Sequence, residues 1–361
     1  MIPHKPDIPI AKDAMDQIIL FSPESEINSI TGVSGPPGAG KTILLTHITR
    51  ILMHSYPVIT LSPHEDLARA FGGGITVTED GIGPYSINPV ALTIAGLHRS
   101  GIVGSVNRII DTLERTGPKF GSQQRGLLFN TLLKAGHELS SCDPLDGPPP
   151  RMTLISLTEA LSEEAQNSAS SRSRDVAETL LSRLKPLASM PVFTGNNELD
   201  PSNLIQHGAV FNLSRMKGTG RTLVCDALLE MIIDKVLSLG PIPHGQRKNR
   251  VFINIDEAKV LFGDKDRKND IDHPINVLAT EGRKFGVGLI LASQRTEHFS
   301  EDFISNAAVK IVLGPVTDAR EKKKLCTVYG LEKSAISQLS HRGSVYISSG
   351  CIPANVYSTL S

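Results

Sequence analysis

Tryptophan is absent from this 361-residue chain, and aromatic residues make up only 4% of it. A platform of rings for stacking exposed bases is therefore a poor expectation. Net charge is absent too: 37 Lys+Arg balance 37 Asp+Glu, for a formal +0. That balance excludes a generally basic nucleic-acid coat and a polybasic membrane anchor, but leaves room for a small basic channel inside an assembly. The four cysteines, Cys142, Cys225, Cys326 and Cys351, lie far apart with no C-x-x-C pair, and none of the 11 His falls in an H-E-x-x-H motif. Neither a zinc site nor a disulfide framework is indicated. The most apolar stretch, Phe285 to Ala292, is too short to span a bilayer. The start, Met1-Ile-Pro-His-Lys5, lacks the charged-then-apolar pattern of a signal peptide. These absences point to a cytoplasmic protein in a reducing compartment, with no membrane segment of its own.

What is present is 40% hydrophobic residues, enough for a sizeable core. Residues 1–25 are polar and contain prolines, and read as an N-terminal arm. From residue 26 to 101 an apolar strand, a glycine-rich turn, the helical pattern of Ile43 to His54 and a second strand at Pro57 to Leu61 follow in order. Residues 102–205 read as a helical insertion, with helical spacing over Val106–Arg115, Gln123–Glu138, Ser156–Glu164 and Asp175–Leu187. Loops are expected at Asp146 to Pro150 and in the Ser-rich 168–173. From 206 to 361 strands and helices alternate again, with apolar strands at Ala209–Leu213, Val251–Ile255, Gly288–Ala292, Val309–Leu313 and Val345–Ser348. Buried apolar strands separated by helices predict an α/β fold around a mostly parallel sheet.

Gly35, Pro36, Pro37, Gly38, Ala39, Gly40, Lys41 and Thr42 match G-x-x-x-x-G-K-[ST] in full, after a strand and before a helix that opens at Ile43. A triphosphate needs backbone N–H groups brought close without bulky side chains, and glycines and a helix N-terminus supply them. Lys41 is expected at the β- and γ-phosphates and the Thr42 hydroxyl on Mg²⁺, with ATP as the nucleotide. The plain alternative is a glycine-rich turn with a chance lysine.

Val251-Phe-Ile-Asn-Ile-Asp-Glu257 is an apolar strand ending in two carboxylates. Asp256 is expected to hold Mg²⁺, and Glu257 to act as the base that activates water, which argues for a hydrolase rather than a kinase. The alternative is an acidic helix start favoured by the dipole. Gly288-Leu-Ile-Leu-Ala-Ser-Gln294 is a further strand ending in polar residues. If it lies beside the Asp256 strand, Gln294 faces the γ-phosphate or its water as a sensor; otherwise it bonds a neighbouring loop. Arg283, Arg295 and Arg320 are candidate arginine fingers acting on a neighbouring subunit's site, against surface ion pairs as the ordinary reading of each.

There is no N-K-x-D for guanine and no L-S-G-G-Q-type signature of an ABC cassette. Two-lobed helicases share the phosphate loop and the Asp-Glu pair. Here roughly two hundred residues separate Lys41 from Asp256 and only about a hundred follow Glu257, which leaves no room for a second lobe.

In order along the chain, the phosphate loop, Ser62-Pro-His-Glu-Asp66, Ser86-Ile-Asn-Pro89, Val210-Phe-Asn-Leu-Ser214, the Asp256-Glu257 strand and Glu281-Gly-Arg-Lys-Phe-Gly-Val-Gly-Leu-Ile-Leu-Ala-Ser-Gln-Arg295 resemble the HerA/FtsK superfamily. The similarity is to HerA-like proteins and to the ATPases of conjugation and type IV secretion, and runs from about residue 26. It implies a RecA-like P-loop NTPase core with an all-helical insertion, assembled as a homo-oligomeric, hexameric ring that moves double-stranded DNA by ATP hydrolysis. It favours Arg283 as the trans-acting finger, with Arg295 second. The chain has Ser62 where such proteins usually have Asp, which leaves the role of Glu65 open. HerA proteins carry a β-barrel ahead of the ATPase, so a separate N-terminal-domain or nuclease partner, or a longer parent chain, is expected. Repair, conjugation and restriction or anti-phage defence are the settings implied. For DNA contact, the basic loop with Arg215, Lys217 and Arg221 is the candidate, while Asp264 to Asp270 is mixed in sign and less suited. Against the motor stand an ATP-gated module that recruits a nuclease or protein cargo without moving DNA, and a secretion or conjugation ATPase.

Overall fold

The apolar segments that read as strands are short and nearly continuous in hydrophobic character, the pattern of strands covered on both faces. A computed structural model, which describes residues 6–141, 152–243, 249–262 and 268–360, joins them into one sheet. Its strands are β1 (Ile8–Lys12), β2 (Ile18–Phe21), β3 (Ile30–Ser34), β4 (Val58–Ser62), β5 (Ile75–Thr76), β6 (Ala209–Asn212), β7 (Val251–Ile255), β8 (Val287–Ser293), β9 (Val309–Leu313), β10 (Ser344–Ser348) and β11 (Asn355–Thr359). Their order is β2-β1-β11-β10-β9-β3-β8-β7-β4-β6-β5. The six strands from β9 to β6 in that order run parallel. On the other side, β10, β11, β1 and β2 continue antiparallel. Every residue of β3, β4, β7 and β8 is buried.

The helices are α1 (Lys41–Leu52), α2 (Glu65–Arg69), α3 (Ile94–Glu114), α4 (Ser122–Ser141), α5 (Leu154–Asn167), α6 (Ser171–Ala188), α7 (Pro191–Thr194), α8 (Pro201–His207), α9 (Gly218–Ser238), α10 (Ala258–Phe262), α11 (Pro274–Glu281), α12 (Glu301–Asn306), α13 (Ala319–Val328) and α14 (Lys333–Gln338). By its internal contacts the chain divides into a sheet unit, 1–75 with 202–214 and 239–361, and a helical unit, 76–201 with 215–238.

Two details differ from the pattern in the sequence. Residues 8–12 and 18–21, within the segment read as an arm, are strands. Ile8, Ile10, Ala11 and Phe21 join the hydrophobic cluster of β9 and β10, and the surrounding prolines and polar residues hide that alternation. Ser171 to Ser173, within a stretch read as loop, form the first turn of α6, which opens after Ser170 as N-cap. The expected loop at 146–150 and part of the Asp264–Asp270 segment lie outside the described residues.

In the helical unit α3 packs on α4 and α9, and α5 pairs with α6. Thr153 starts α5 with a reciprocal capping box to Ser156. Helix α3 is broken at Gly101, which is non-helical at φ 68° and ψ 178°. Arg99 and Arg108 flank that break. Nine residues apart on a straight helix they would point about 180° from each other. Across the kink both reach the same carboxylates of α9: Arg99 meets Glu230 at 3.2 Å and Asp234 at 3.1 Å, and Arg108 meets them at 3.2 and 2.9 Å. The four side chains are only 14–15% exposed. Two positive and two negative charges thus cancel where water is scarce, the condition under which such a cluster is tolerated.

Candidate active site

Helix α1 begins at Lys41, directly after the glycine-rich loop that leaves β3. Its N-cap, Gly40, is left-handed at φ 97° and no side chain caps the helix. Gly38 is left-handed as well, at φ 76°. A Cβ at either would meet nothing within 4 Å, so conformation and not crowding requires glycine there. Gly35 is glycine for the opposite reason: a Cβ would come within 2.9 Å of the Leu313 Cβ and carbonyl oxygen on β9. The first-turn amides of α1 have no intrahelical acceptor, and an uncapped helix N-terminus is suited to an anion.

The Lys41 ammonium is buried and donates to the carbonyls of Gly35 at 2.6 Å and Pro36 at 3.0 Å. Burial lowers its pKa, opposed by the charges of Glu257 and Asp256. Those carboxylates follow β7 and are buried at 5% and 6% exposure for Asp256 and Glu257. Burial raises the Asp256 pKa, the charge of His64 opposing it and that of Glu257 adding to it. Asn254 on β7 donates to Thr49 of α1, which ties the carboxylate strand to the helix of the phosphate loop.

Strand β8 lies between β3 and β7 and is parallel to both, with Ser34 opposite Ser293 and Ile255 opposite Leu291. It ends at Ser293. The Ser293 hydroxyl donates to Glu257 Oε1 at 2.5 Å and lies 2.7 Å from His298 Nδ1. His298 Nδ1 is 3.8 Å from Glu257 Oε1. Gly35 N–H donates to the Ser293 carbonyl at 3.3 Å. Gln294, expected as the sensor, is exposed just beyond the strand, and the contact to Glu257 is made one residue earlier. Ser293 was visible in the sequence only as a polar strand end. His298 carried no signal, because its approach depends on the single 3-10 turn Thr296–His298.

These residues fit a nucleoside triphosphate with Mg²⁺. The left-handed glycines, the uncapped helix end and Lys41 suit the phosphates, and Thr42 and Asp256 would hold the metal. Among the described residues no group of three or more His, Cys, Asp or Glu side chains is arranged to hold a metal ion.

No family model matches the chain. A stretch of 90 residues is 39% identical to the DNA double-strand break repair helicase HerA of Sulfurisphaera tokodaii, covering 25% of this chain and 18% of the relative. Another of 93 residues is 31% identical to HerA of Pyrococcus furiosus, covering 26% and 17%. The chain thus matches less than a fifth of the length of these curated relatives. Among solved structures, VirB4 of Thermoanaerobacter pseudethanolicus superposes with a TM-score of 0.74 at 17% identity, over 100% of this chain and 98% of that one. The plasmid coupling protein TrwB, in complex with ADP and Mg²⁺, gives 0.65 at 14% identity, over 92% and 85%. The fold is theirs, and the phosphate loop and carboxylate pair occupy the ends of its parallel strands.

The chain carries a P-loop NTPase site on the fold shared by VirB4 and TrwB, and stretches of it are similar in sequence to HerA helicases.

In this P-loop NTPase the candidate arginines fall in different places. Arg283 is exposed on the turn Gly282–Phe285 that precedes β8. The seven residues of β8 put it roughly 20 Å from Ser293 along the strand. Among the described residues it has no ion pair. Arg295 sits just past Ser293 and is half-exposed, paired with Glu297 at 3.3 Å and Asp318 at 3.4 Å. Arg320 is exposed in the first turn of α13. Glu65 makes an exposed pair with Arg69 at 3.1 Å. Arg215 and Lys217 are exposed and Arg221 half-buried, around the first turn of α9. No described helix is long and apolar enough to cross a membrane.

Proposed function

We propose that this chain hydrolyses ATP with Mg²⁺ and couples turnover to movement or remodelling of double-stranded DNA, as a homo-oligomeric, hexameric ring in the cytoplasm. The observation that carries the hydrolytic part is Glu257, buried beside Asp256 at the end of β7 and oriented by Ser293 of β8, the strand next to the phosphate-loop strand. In this reading Lys41 and the loop amides bind the phosphates, Thr42 and Asp256 hold Mg²⁺, Glu257 takes the proton of the attacking water, and Gln294 reports on the γ-phosphate.

Arg283 suits a finger for a neighbouring subunit, since it lies at the opposite end of β8 from its own Glu257. Arg295, held by Glu297 and Asp318, suits that task less. The DNA part rests on the helicase names of the HerA relatives and on the basic loop of Arg215, Lys217 and Arg221. Such a ring meets DNA along its pore, so the zero net charge is no obstacle. A DNA-processing, restriction or anti-phage system with a nuclease or N-terminal-domain partner is the setting this reading favours.

The test is the ATPase rate of the chain against added duplex DNA, with oligomeric mass measured alongside. Stimulation that disappears when Arg215, Lys217 and Arg221 become Ala supports the motor. A rate indifferent to DNA at every salt concentration overturns it in favour of an ATP-gated recruiting module.

A further inference from the structure

The last residue of β8 has three engagements, and their chemistry fixes the direction of each hydrogen bond. The Ser293 carbonyl accepts from Gly35 N–H at 3.3 Å, while its hydroxyl lies 2.5 Å from Glu257 Oε1 and 2.7 Å from His298 Nδ1. An ionised carboxylate only accepts, so the single hydroxyl proton goes to Glu257. The hydroxyl oxygen then accepts from His298, which places the imidazole proton on Nδ1. Burial lowers the His298 pKa, opposed by Glu257, which favours a neutral ring with one N–H. The ring is brought there by the turn Thr296–His298. That turn is anchored because the Thr296 amide and hydroxyl both donate to Glu321 of α13, at 2.9 and 3.0 Å.

We propose that His298 and Ser293 are positioning residues for Glu257: a directed relay, His298 Nδ1–H to Ser293 Oγ–H to Glu257 Oε1, that holds the carboxylate in one orientation and leaves Oε2 as the proton acceptor. The relay rests on the reading of Glu257 as the general base. It is also tied to the phosphate loop, since the residue that orients the base takes the Gly35 amide on its own carbonyl.

The experiment is steady-state ATP turnover of the full chain, with nucleotide binding and thermal melting recorded for each variant. Ser293→Ala lowers kcat between about tenfold and about a hundredfold, the worth of one hydrogen bond to a charged group. KM for ATP stays within about twofold, because binding is not the step affected. His298→Ala gives a smaller loss in the same direction. His298→Asn, whose side-chain N–H stands near the position of Nδ1–H, recovers most of it. In the Ser293→Ala background His298→Ala adds nothing, because the relay is already cut.

A wild-type kcat in Ser293→Ala or His298→Ala overturns the relay, and so does His298→Asn behaving like His298→Ala. If Ser293→Ala fails to fold, the two His298 variants decide alone. Glu257→Gln separates the two layers. Turnover at the wild-type rate in that variant removes the base and the relay together. An inactive Glu257→Gln alongside fully active Ser293 and His298 variants removes only the relay.

Discussion

Replacing Gly288 by alanine tests the packing that sets the two strands of the site side by side. Gly288 lies on β8 directly opposite Phe252 of β7. A Cβ there would stand 2.3 Å from Phe252 Cε1, 2.4 Å from Cδ1 and 2.8 Å from Cζ. None of these distances is tolerable, so the ring must move. It has little room to do so: Phe252 is 1% exposed, packs at 5.0 Å between ring centroids on Tyr56, and belongs to the cluster that holds Leu52 and Val58. Overpacking of this kind costs about 1–3 kcal/mol. For a folding unit of about two hundred residues that is a fall in melting temperature of about 2–12 °C. The assay is thermal unfolding of the purified chain followed by circular dichroism. Phe252→Leu removes the ring edge that the new methyl meets, so Gly288→Ala with Phe252→Leu should be destabilised by less than the sum of the two single changes. A Gly288→Ala protein that melts within about a degree of wild type would refute the reasoning, as would strict additivity in the double variant.

Glu257→Gln keeps an oxygen for Ser293 to donate to, so the variant should fold and bind ATP while phosphate release falls by between about a hundredfold and about ten-thousandfold. Phosphate release near the wild-type rate would remove Glu257 from the chemistry. Arg283→Ala should bind ATP normally and poison rings mixed with wild-type subunits; activity that falls only in proportion to dilution would contradict a trans role. Arg108→Met should cost about 1–3 kcal/mol in urea unfolding, because buried acceptors on Glu230 and Asp234 lose a donor. By contrast Arg69→Ala, at an exposed pair with Glu65, should change stability by less than about 1 kcal/mol.

Much of the site was legible because it is built from neighbours in the chain. Gly35 to Thr42 form a largely local structure: the left-handed glycines, the helix start and the bonds of Lys41 to the Gly35 and Pro36 carbonyls all lie within eight consecutive residues. Asp256 and Glu257 were legible for a similar reason, as two carboxylates at the end of an apolar strand. The hydrophobic runs of β3, β4, β7 and β8 announced a buried parallel sheet by composition alone. The strands β1 and β2, at one side of the sheet, did not stand out. Their alternation is short and broken by Pro9, and it acquires meaning only when Ile8, Ile10 and Phe21 find a core contributed by β9 and β10. Helix α3 was visible only in its second half, since Gly96, Gly101 and Gly104 weaken helical periodicity and its first turns rest on α9.

The amino-acid sequence by itself determined that this chain has a phosphate loop and a carboxylate pair, because both are properties of short contiguous segments. Strand order belongs to the tertiary structure. It places β8 between β3 and β7, and so makes Ser293, and not Gln294, the residue that touches Glu257. The same order brings the ring of Phe252 onto Gly288, which is why a residue that looks permissive in the sequence can carry a methyl only if that ring moves. His298 reaches the site only through a turn anchored on Glu321, 23 positions further along. Such contacts depend on sheet order and on side-chain direction at strand ends, and hydrophobic periodicity carries no information about either.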